Sequence, residues 1–128
     1  MKRDMDLIRE LLIYIEDHSD GLPLYDLQLE EHGIVEVAYH SRLLYEANLV
    51  SSYDQQEAED EIIFFSVGPL TWDGHEFLEK IRQETIWNKT KEVVTKKGLP
   101  MLFDIIKNIS ETLISSAVEG AIKGLKQS

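Results

Sequence analysis

The sequence has 128 residues, of which 43% are hydrophobic and 29% are charged, a composition typical of one soluble globular domain rather than a disordered chain. Thirteen basic residues stand against 24 acidic ones, and the formal charge of −11 opposes approach to nucleic acid and to anionic lipid. The absence of cysteine excludes disulfides, thiolate metal sites and cysteine nucleophiles, and the charged first residues do not form a secretion signal. We therefore expect a cytoplasmic protein.

The first predicted element is a helix over residues 4–17. Asp4 is a suitable N-cap, and apolar residues then recur at steps of three and four, as in a helix packed on one side: Met5, Ile8, Leu11, Leu12 and Ile15. Turn-forming residues and a proline at 17–23 end this helix. Alternating leucines at 22–29 then predict a short strand or extended segment.

A second helix is predicted over residues 34–47 and closed by Asn48. Its apolar face is expected to contain five residues at helical spacing: Val35, Ala38, Tyr39, Leu43 and Ala47. Two β-prone runs follow, 49–53 and 62–67, on either side of residues 54–61, which are too polar to be buried. This arrangement predicts a β-hairpin with a long acidic tip.

After the hairpin, Thr71 can cap a further helix, and whether that helix continues to Lys97 is left open. Three aromatic residues of this region are expected in the core because aromatic side chains bury large areas: Trp72, Phe77 and Trp87.

The last predicted element is a long helix. Gly98 is the predicted stop of the preceding helix, and Pro100 suits the first turn of the next one. The apolar stripe that follows extends through roughly 25 residues, or about 38 Å at 1.5 Å per residue.

Charge divides the chain into an acidic front and a nearly neutral tail. Residues 1–91 carry a net charge of −12, and residues 92–128 carry +1. We predict a domain over 1–97 and a separate amphipathic helix over 98–128.

The order helix, extended segment, helix, hairpin, helix is that of a winged helix. The predicted fold class is therefore mainly α with a small β-hairpin, a winged helix-turn-helix followed by a long C-terminal helix. Three stretches carry a resemblance to a known family: 39–50, 70–78 with its Leu-Thr-x-x-Gly-x-x-Phe-Leu pattern, and 85–91.

Over roughly residues 1–97, the chain resembles an uncharacterised family of small bacterial and prophage proteins known only as a domain of unknown function. More distantly, it resembles the YjcQ-like winged-helix proteins. The resemblance implies a winged-helix fold and a prophage setting, and it implies no catalytic or ligand residue.

A winged helix commonly places the helix before its wing in the DNA major groove. Here that helix offers His40, Ser41 and Arg42 as DNA contacts, so a DNA-binding repressor that uses helix 35–47 is the alternative function. Charge disfavours this alternative, because the predicted tip contains no lysine or arginine but five acidic residues, which would meet phosphates directly: Asp54, Glu57, Glu59, Asp60 and Glu61.

The same five acidic residues suggest a wing that binds a basic protein surface. The simpler interpretation is a solvated loop, and both remain open at this point.

No metal site, cofactor or enzymatic activity is predicted. His32, Glu36 and His40 are spaced four apart, but Gly33 interrupts the register, and the spacing is not that of a zinc protease. The sequence has no nucleophile elbow and no glycine-rich phosphate loop, and the acidic cluster lies in a predicted flexible tip.

The tail is predicted to mediate self-association. Its stripe follows a near heptad repeat with small residues in the second half, and the candidate contacts are Leu102, Ile106, Ile109, Leu113 and Gly120. Folding back onto the domain ranks second. Membrane binding ranks last because charged residues interrupt any spanning run.

The leading hypothesis is thus a non-enzymatic interaction or regulatory protein of bacterial or prophage origin. We expect a homo-oligomer that binds a protein partner.

Overall fold

The structure is a computed structural model that describes residues 1–127. Within these residues the chain forms five helices and three strands: α1 (Met5–His18), β1 (Leu24–Tyr25), α2 (Ile34–Glu46), β2 (Tyr53–Ala58), β3 (Glu61–Val67), α3 (Trp72–Ile81), α4 (Glu84–Lys96) and α5 (Phe103–Gln127). These elements form two compact units, residues 1–78 and the residues from 79 onward. The predicted mainly helical fold with a hairpin and a long last helix is confirmed.

Helix α1 contributes a large part of the core of the first unit. The Asp4 carboxylate accepts hydrogen bonds from the N–H groups of Asp6 and Leu7, so the predicted N-cap is confirmed. The apolar stripe is buried at Leu7, Ile8, Leu11, Leu12 and Ile15. Each fully buried leucine or isoleucine contributes roughly 1.5–3 kcal/mol through the hydrophobic effect.

The three strands form one antiparallel sheet in the order β1–β3–β2. The predicted hairpin is confirmed, but its first strand and its long tip are misplaced. β2 overlaps the predicted run 49–53 only at Tyr53 and extends through most of the polar stretch, so only Glu59 and Asp60 form the turn. These two residues have φ of 54° and 66°, as a two-residue type I′ turn requires. Ile63 is an extra residue in β3, since the pair Gln56–Phe64 is followed by Glu57–Ile62.

Helix α2 packs mainly through a different face from the predicted one, and of the five predicted residues Ala38 alone is fully buried. Its buried residues are Val37, Ala38, His40, Ser41 and Leu44. Val35 is 54% exposed and Ala47 is also exposed. The predicted face was wrong because two polar side chains lie in the core, where hydrogen bonds satisfy them, and an apolar pattern does not register such residues.

The segment 70–78 attaches α3 to the end of α2. Asn48 closes α2 as predicted, with φ of 61°. The Thr71 hydroxyl donates to the carbonyl of Asn48 (2.6 Å) and accepts from the N–H of Gly74 (3.0 Å). The N–H of Thr71 donates to the carbonyl of Leu49 (3.0 Å). A Cβ atom on Gly74 would lie 2.0 Å from that same carbonyl oxygen, so this approach requires glycine.

These contacts give a physical reason for the Leu-Thr-x-x-Gly-x-x-Phe-Leu pattern. Its threonine caps the helix, its glycine permits the close approach, and its remaining residues are buried: Leu70, Phe77 and Leu78.

The stretch from residue 72 to residue 97 forms two helices rather than one. Helix α3 ends at Ile81, and α4 begins at Glu84. If α3 continued as one helix, the buried face that contains Phe77 and Leu78 would next contain Thr85 and Asn88. Both of these residues are exposed, whereas Trp87 is buried. The break between α3 and α4 therefore lets α4 turn a different set of side chains, including Trp87, towards the core.

The core expectation is confirmed for Phe77 and Trp87 and is wrong for Trp72, which is 78% exposed. Trp72 is the first residue of α3, and it lies about 140° around the helix from Phe77 at 3.6 residues per turn.

In the second unit, α4 and α5 pack on each other. Gly98 has φ of 63°, and the N–H of Leu99 donates to the carbonyl of Val94 (2.9 Å), so the predicted stop is confirmed. The 25-residue α5 begins at Phe103, three residues after Pro100, so Pro100 precedes the helix and is not in its first turn. The domain boundary predicted after residue 97 means that residues 1–97 fold without the last helix, and it stays a prediction.

Candidate functional site

The three residues predicted as DNA contacts lie in different environments. His40 and Ser41 are fully buried. Nδ1 of His40 donates to the carbonyl of Glu36 (2.9 Å), and Nε2 accepts from the N–H of Asp4 (2.9 Å). The Ser41 hydroxyl donates to the carbonyl one turn earlier (2.8 Å). Both side chains hold α2 against the core, and neither reaches the surface.

Arg42 is the exposed residue of the three. Its Nε lies 3.1 Å from Oε1 of Glu46 on the same helix, so its charge is paired locally. The DNA contact predicted for α2 therefore depends on Arg42 alone.

The five predicted wing carboxylates lie on the hairpin formed by β2, β3 and their turn, which we call the wing. All five are exposed: Asp54, Glu57, Glu59, Asp60 and Glu61. None of the ion pairs found in residues 1–127 involves them. Asp54, Glu57 and Glu61 lie on the paired strands, and Glu59 and Asp60 form the two-residue turn between them, so none of the five belongs to a long loop.

The base of the wing is tied together by Tyr53. Its hydroxyl donates to Oε1 of Gln55 (2.7 Å), and the Gln55 amide in turn donates to Glu57. Burial raises the pKa of Tyr53 to about 12, with Arg42 lowering it and Glu57 raising it. The hydroxyl therefore stays protonated and remains a donor at neutral pH.

A groove lies between the first turn of α2 and the tip of the wing, and we call it the wing groove. Its volume is about 470 Å³, and six residues line it: Ile34, Val35, Glu57, Asp60, Glu61 and Ile62. Three of the five predicted wing residues thus border an apolar surface. Sequence reasoning missed the apolar part, although Ile34 and Val35 stand outside the buried stripe of α2.

His32 joins α1 to α2 through two acidic partners. Its Nδ1 lies 3.1 Å from Glu36 Oε1, and its Nε2 lies 3.4 Å from Glu10 Oε2. Burial lowers the pKa of His32, but the hydrogen bond with Glu36 and the charges of Glu36, Glu10 and Asp4 outweigh burial, so the pKa is raised. The protonated imidazole is thus stabilised between two carboxylates.

The residues predicted for self-association divide between two roles. Ile106 is fully buried in the packing of α5, and Ile109 and Leu113 are half-buried. Leu102 and Gly120 are exposed. The buried residue is already used within the chain, so only part of the predicted set is available to a second copy.

The second half of α5 carries apolar side chains that the prediction did not select as contacts. Val118 is 51% exposed, Ile122 is 46% exposed and Leu125 is 77% exposed. Beside them, a cavity of about 310 Å³ lies between α5, the end of α3 and the start of α4, where Ile86 and Ile114 contribute apolar surface.

Polar contacts connect α5 to α4 and to the end of α3. The buried hydroxyls of Thr90 and Ser110 lie 3.1 Å apart. Nζ of Lys80 lies 2.8 Å from Oε1 of Glu111, and this hydrogen bond holds the pKa of Glu111 below its usual value.

Across residues 1–127, no group of three or more histidine or acidic side chains is placed to hold a metal ion. Nor is any helix in that range both long and apolar enough to cross a bilayer.

Comparisons with known proteins match most of the chain. A family model described as hypothetical protein (DUF2513) matches residues 2–100. An uncharacterized protein of Haemophilus influenzae is 35% identical over 123 residues, which cover 90% of this chain and 97% of that protein. No solved structure gives a significant match. The matched range agrees with the resemblance predicted for roughly residues 1–97.

Proposed function

The chain belongs to the DUF2513 family of hypothetical proteins, and we propose that it is a non-enzymatic interaction protein whose wing binds a basic protein surface. The proposal rests on the geometry of the first unit, since the family description states no activity. We also propose that this unit is a winged-helix variant, because its elements follow that order and β1 pairs with the second strand of the hairpin. A regulatory role in a bacterial or prophage cytoplasm fits this proposal.

The observation that carries the proposal is the set of five exposed carboxylates on a strand-paired hairpin, none of which has a cationic partner among the described residues. Because the backbone of the hairpin is already ordered, a partner that binds it loses little further conformational entropy to order the wing. A lysine- or arginine-rich surface would gain from this field, whereas DNA phosphates would be repelled by it.

Self-association through α5 is the second part of the proposal. Exposed Val118, Ile122 and Leu125 form an apolar stripe on one face of α5. Gly120 and Gly124 lie about 200° and 240° around the helix from Val118 at 100° per residue, so they are not part of this stripe. Covering this stripe with the same stripe of a second copy would remove apolar surface from water. A second copy would cover surface that α4 leaves open.

Wing binding is tested by fluorescence anisotropy with a labelled octalysine peptide and with a labelled mixed-sequence DNA duplex. We expect the peptide to bind at low salt and to dissociate as salt rises, and we expect no binding of the duplex. The test variant neutralises all five wing carboxylates to Asn or Gln. Its control neutralises five exposed acidic residues elsewhere: Asp17, Asp20, Glu30, Glu76 and Glu84.

Because both variants have the same net charge, a loss confined to the wing variant supports the wing as the site. Equal losses in both variants would show that only overall charge matters, and the proposal would fail. Binding of the duplex that disappears in Arg42→Glu would instead favour the DNA-binding repressor.

Assembly is tested by size-exclusion chromatography with light scattering on the full chain. We expect an oligomer for the wild type and a monomer for the triple variant Val118→Ser, Ile122→Ser, Leu125→Ser. The control is Leu22→Ser, which replaces a leucine that is 69% exposed outside α5. A monomeric wild type at high concentration would overturn this part of the proposal.

A further inference from the structure

The wing groove is lined by three apolar and three acidic residues, and we call the acidic ones, Glu57, Asp60 and Glu61, its rim. Ile34 is 45% exposed and Val35 is 54% exposed in the first turn of α2, and the half-buried Ile62 of β3 lies across from them. Glu57, Asp60 and Glu61 border the same space on the wing. Apolar and negatively charged surfaces therefore face one cavity.

The size of the groove suits part of a partner chain. Its volume of about 470 Å³ lies within the range of roughly 300–1,000 Å³ that is usual for ligand pockets, so it can accept a large apolar side chain and neighbouring backbone. Covering the exposed isoleucine and valine would remove apolar surface from water, which favours binding without regard to direction.

The rim decides which apolar group can enter. An uncharged apolar ligand would strip water from three carboxylates without returning any interaction, and burying unpaired charge is costly. Lysine or arginine residues beside the apolar group would pair with the rim at its edge, where water still reaches. The amide dipoles at the start of α2 add partial positive charge, and Glu36 in the same turn offsets it.

We infer that the wing groove binds a protein segment in which one apolar side chain is flanked by lysine or arginine, with the apolar side chain on Ile34, Val35 and Ile62 and the cations at Glu57, Asp60 and Glu61. This inference rests on the proposed function and names the chemistry of its partner. It differs from a purely electrostatic wing because it requires an apolar anchor.

Two peptides test the inference. Each has four lysines on either side of a central residue, which is leucine in one peptide and serine in the other. We expect the full-length protein to bind the leucine peptide roughly fivefold to tenfold more tightly, as partial burial of one leucine predicts. Isothermal titration at moderate salt measures both affinities.

A matched pair of variants locates the anchor. Val35→Ser removes apolar surface in the groove, and Ile63→Ser removes a similarly exposed residue, 57% exposed, that lies on the same wing outside the groove. We expect Val35→Ser to abolish the preference for leucine and Ile63→Ser to preserve it. Amide chemical-shift changes at Ile34, Val35 and Ile62 on adding the leucine peptide give an independent measurement if a variant folds poorly.

A second comparison tests the rim. Neutralising Glu57, Asp60 and Glu61 should weaken both peptides, whereas neutralising Asp20, Glu30 and Glu76 should weaken them less. If both peptides bind equally and the rim variant weakens both, the apolar anchor is refuted while the proposed function stands. If neither peptide binds the wild type, both proposals fail.

Discussion

Gly74→Ala tests the attachment of α3 to α2 most directly. The added Cβ would lie 2.0 Å from the carbonyl oxygen of Leu49, about 1.4 Å short of the 3.4 Å at which ordinary contact begins. The obstacle is a backbone atom, so no side-chain rotation can relieve the clash. The start of α3 must move away from the end of α2.

The size of the effect follows from what that movement breaks. Overpacking of this kind costs about 1–3 kcal/mol, and the two hydrogen bonds from Thr71 to the carbonyls of Asn48 and Leu49 add about 1 kcal/mol each if they are lost. The better helix propensity of alanine returns up to about 1 kcal/mol. We expect a net loss of about 2–4 kcal/mol of unfolding free energy.

Thermal unfolding followed by circular dichroism measures this loss, and Tm should fall by roughly 10 °C or more for a unit of this size. Gly120→Ala is the matched control, because it also adds one methyl group to a helix but its Cβ would meet nothing within 4 Å. That control should gain about 0.5–1 kcal/mol. A Gly74→Ala protein as stable as the wild type would show that the close approach does not exist.

Two further predictions concern His32 and α5. The pKa of His32 is raised in the folded state, so its stabilising contribution is complete below its ordinary pKa of about 6.5 and is lost as pH rises through the higher folded value. Urea unfolding curves recorded between about pH 6 and 8 should show this loss of stability, about 1 kcal/mol at most, in the wild type but not in His32→Gln. The same pH dependence in both proteins would contradict the assignment. Ile106→Ala should destabilise the chain by about 2–5 kcal/mol in the same measurement, whereas Ile122→Ala, 46% exposed, should lower stability little and weaken self-association instead; equal losses in dilute protein would contradict this division of α5.

Periodicity was enough to predict the helices whose buried side chains are apolar. Helix α1 begins after the predicted N-cap Asp4 and buries its predicted apolar stripe, and α5 has the predicted length. The stops at Asn48 and Gly98 were also predictable, because few residues other than glycine and asparagine adopt positive φ after a helix.

The face of α2 could not be predicted from hydrophobicity. His40 and Ser41 are buried because local carbonyls and the N–H of Asp4 satisfy their hydrogen bonds. The carbonyl partners lie one turn earlier on α2, but the N–H of Asp4 reaches His40 only in the tertiary structure. The sequence predicts the same residues as surface contacts, and their burial leaves Arg42 as the exposed member of the candidate DNA site.

The acidic stretch was assigned to a loop because polar residues are poor strand formers. It forms an edge strand because backbone pairing with β3 supplies its hydrogen bonds, while its side chains remain in water. Its polarity predicted exposure correctly and secondary structure incorrectly. The wing groove was beyond reach for a related reason, since it requires knowing that Ile62 lies across from Ile34.

The presence of a strand in place of a loop changes the electrostatic energy of the five wing carboxylates. On a flexible tip, like charges separate freely and cost little. On a paired hairpin the backbone fixes the spacing of Glu57, Glu59, Asp60 and Glu61 around the turn, and two unit charges about 7 Å apart in water repel by roughly 0.6 kcal/mol before salt screens them. None of the ion pairs found among residues 1–127 neutralises these carboxylates. Neutralising the wing should therefore raise the stability of the isolated protein while it removes binding to a basic partner. A purely structural role for these residues would make stability fall when they are neutralised, so the two effects moving in opposite directions distinguish a binding surface from a scaffold.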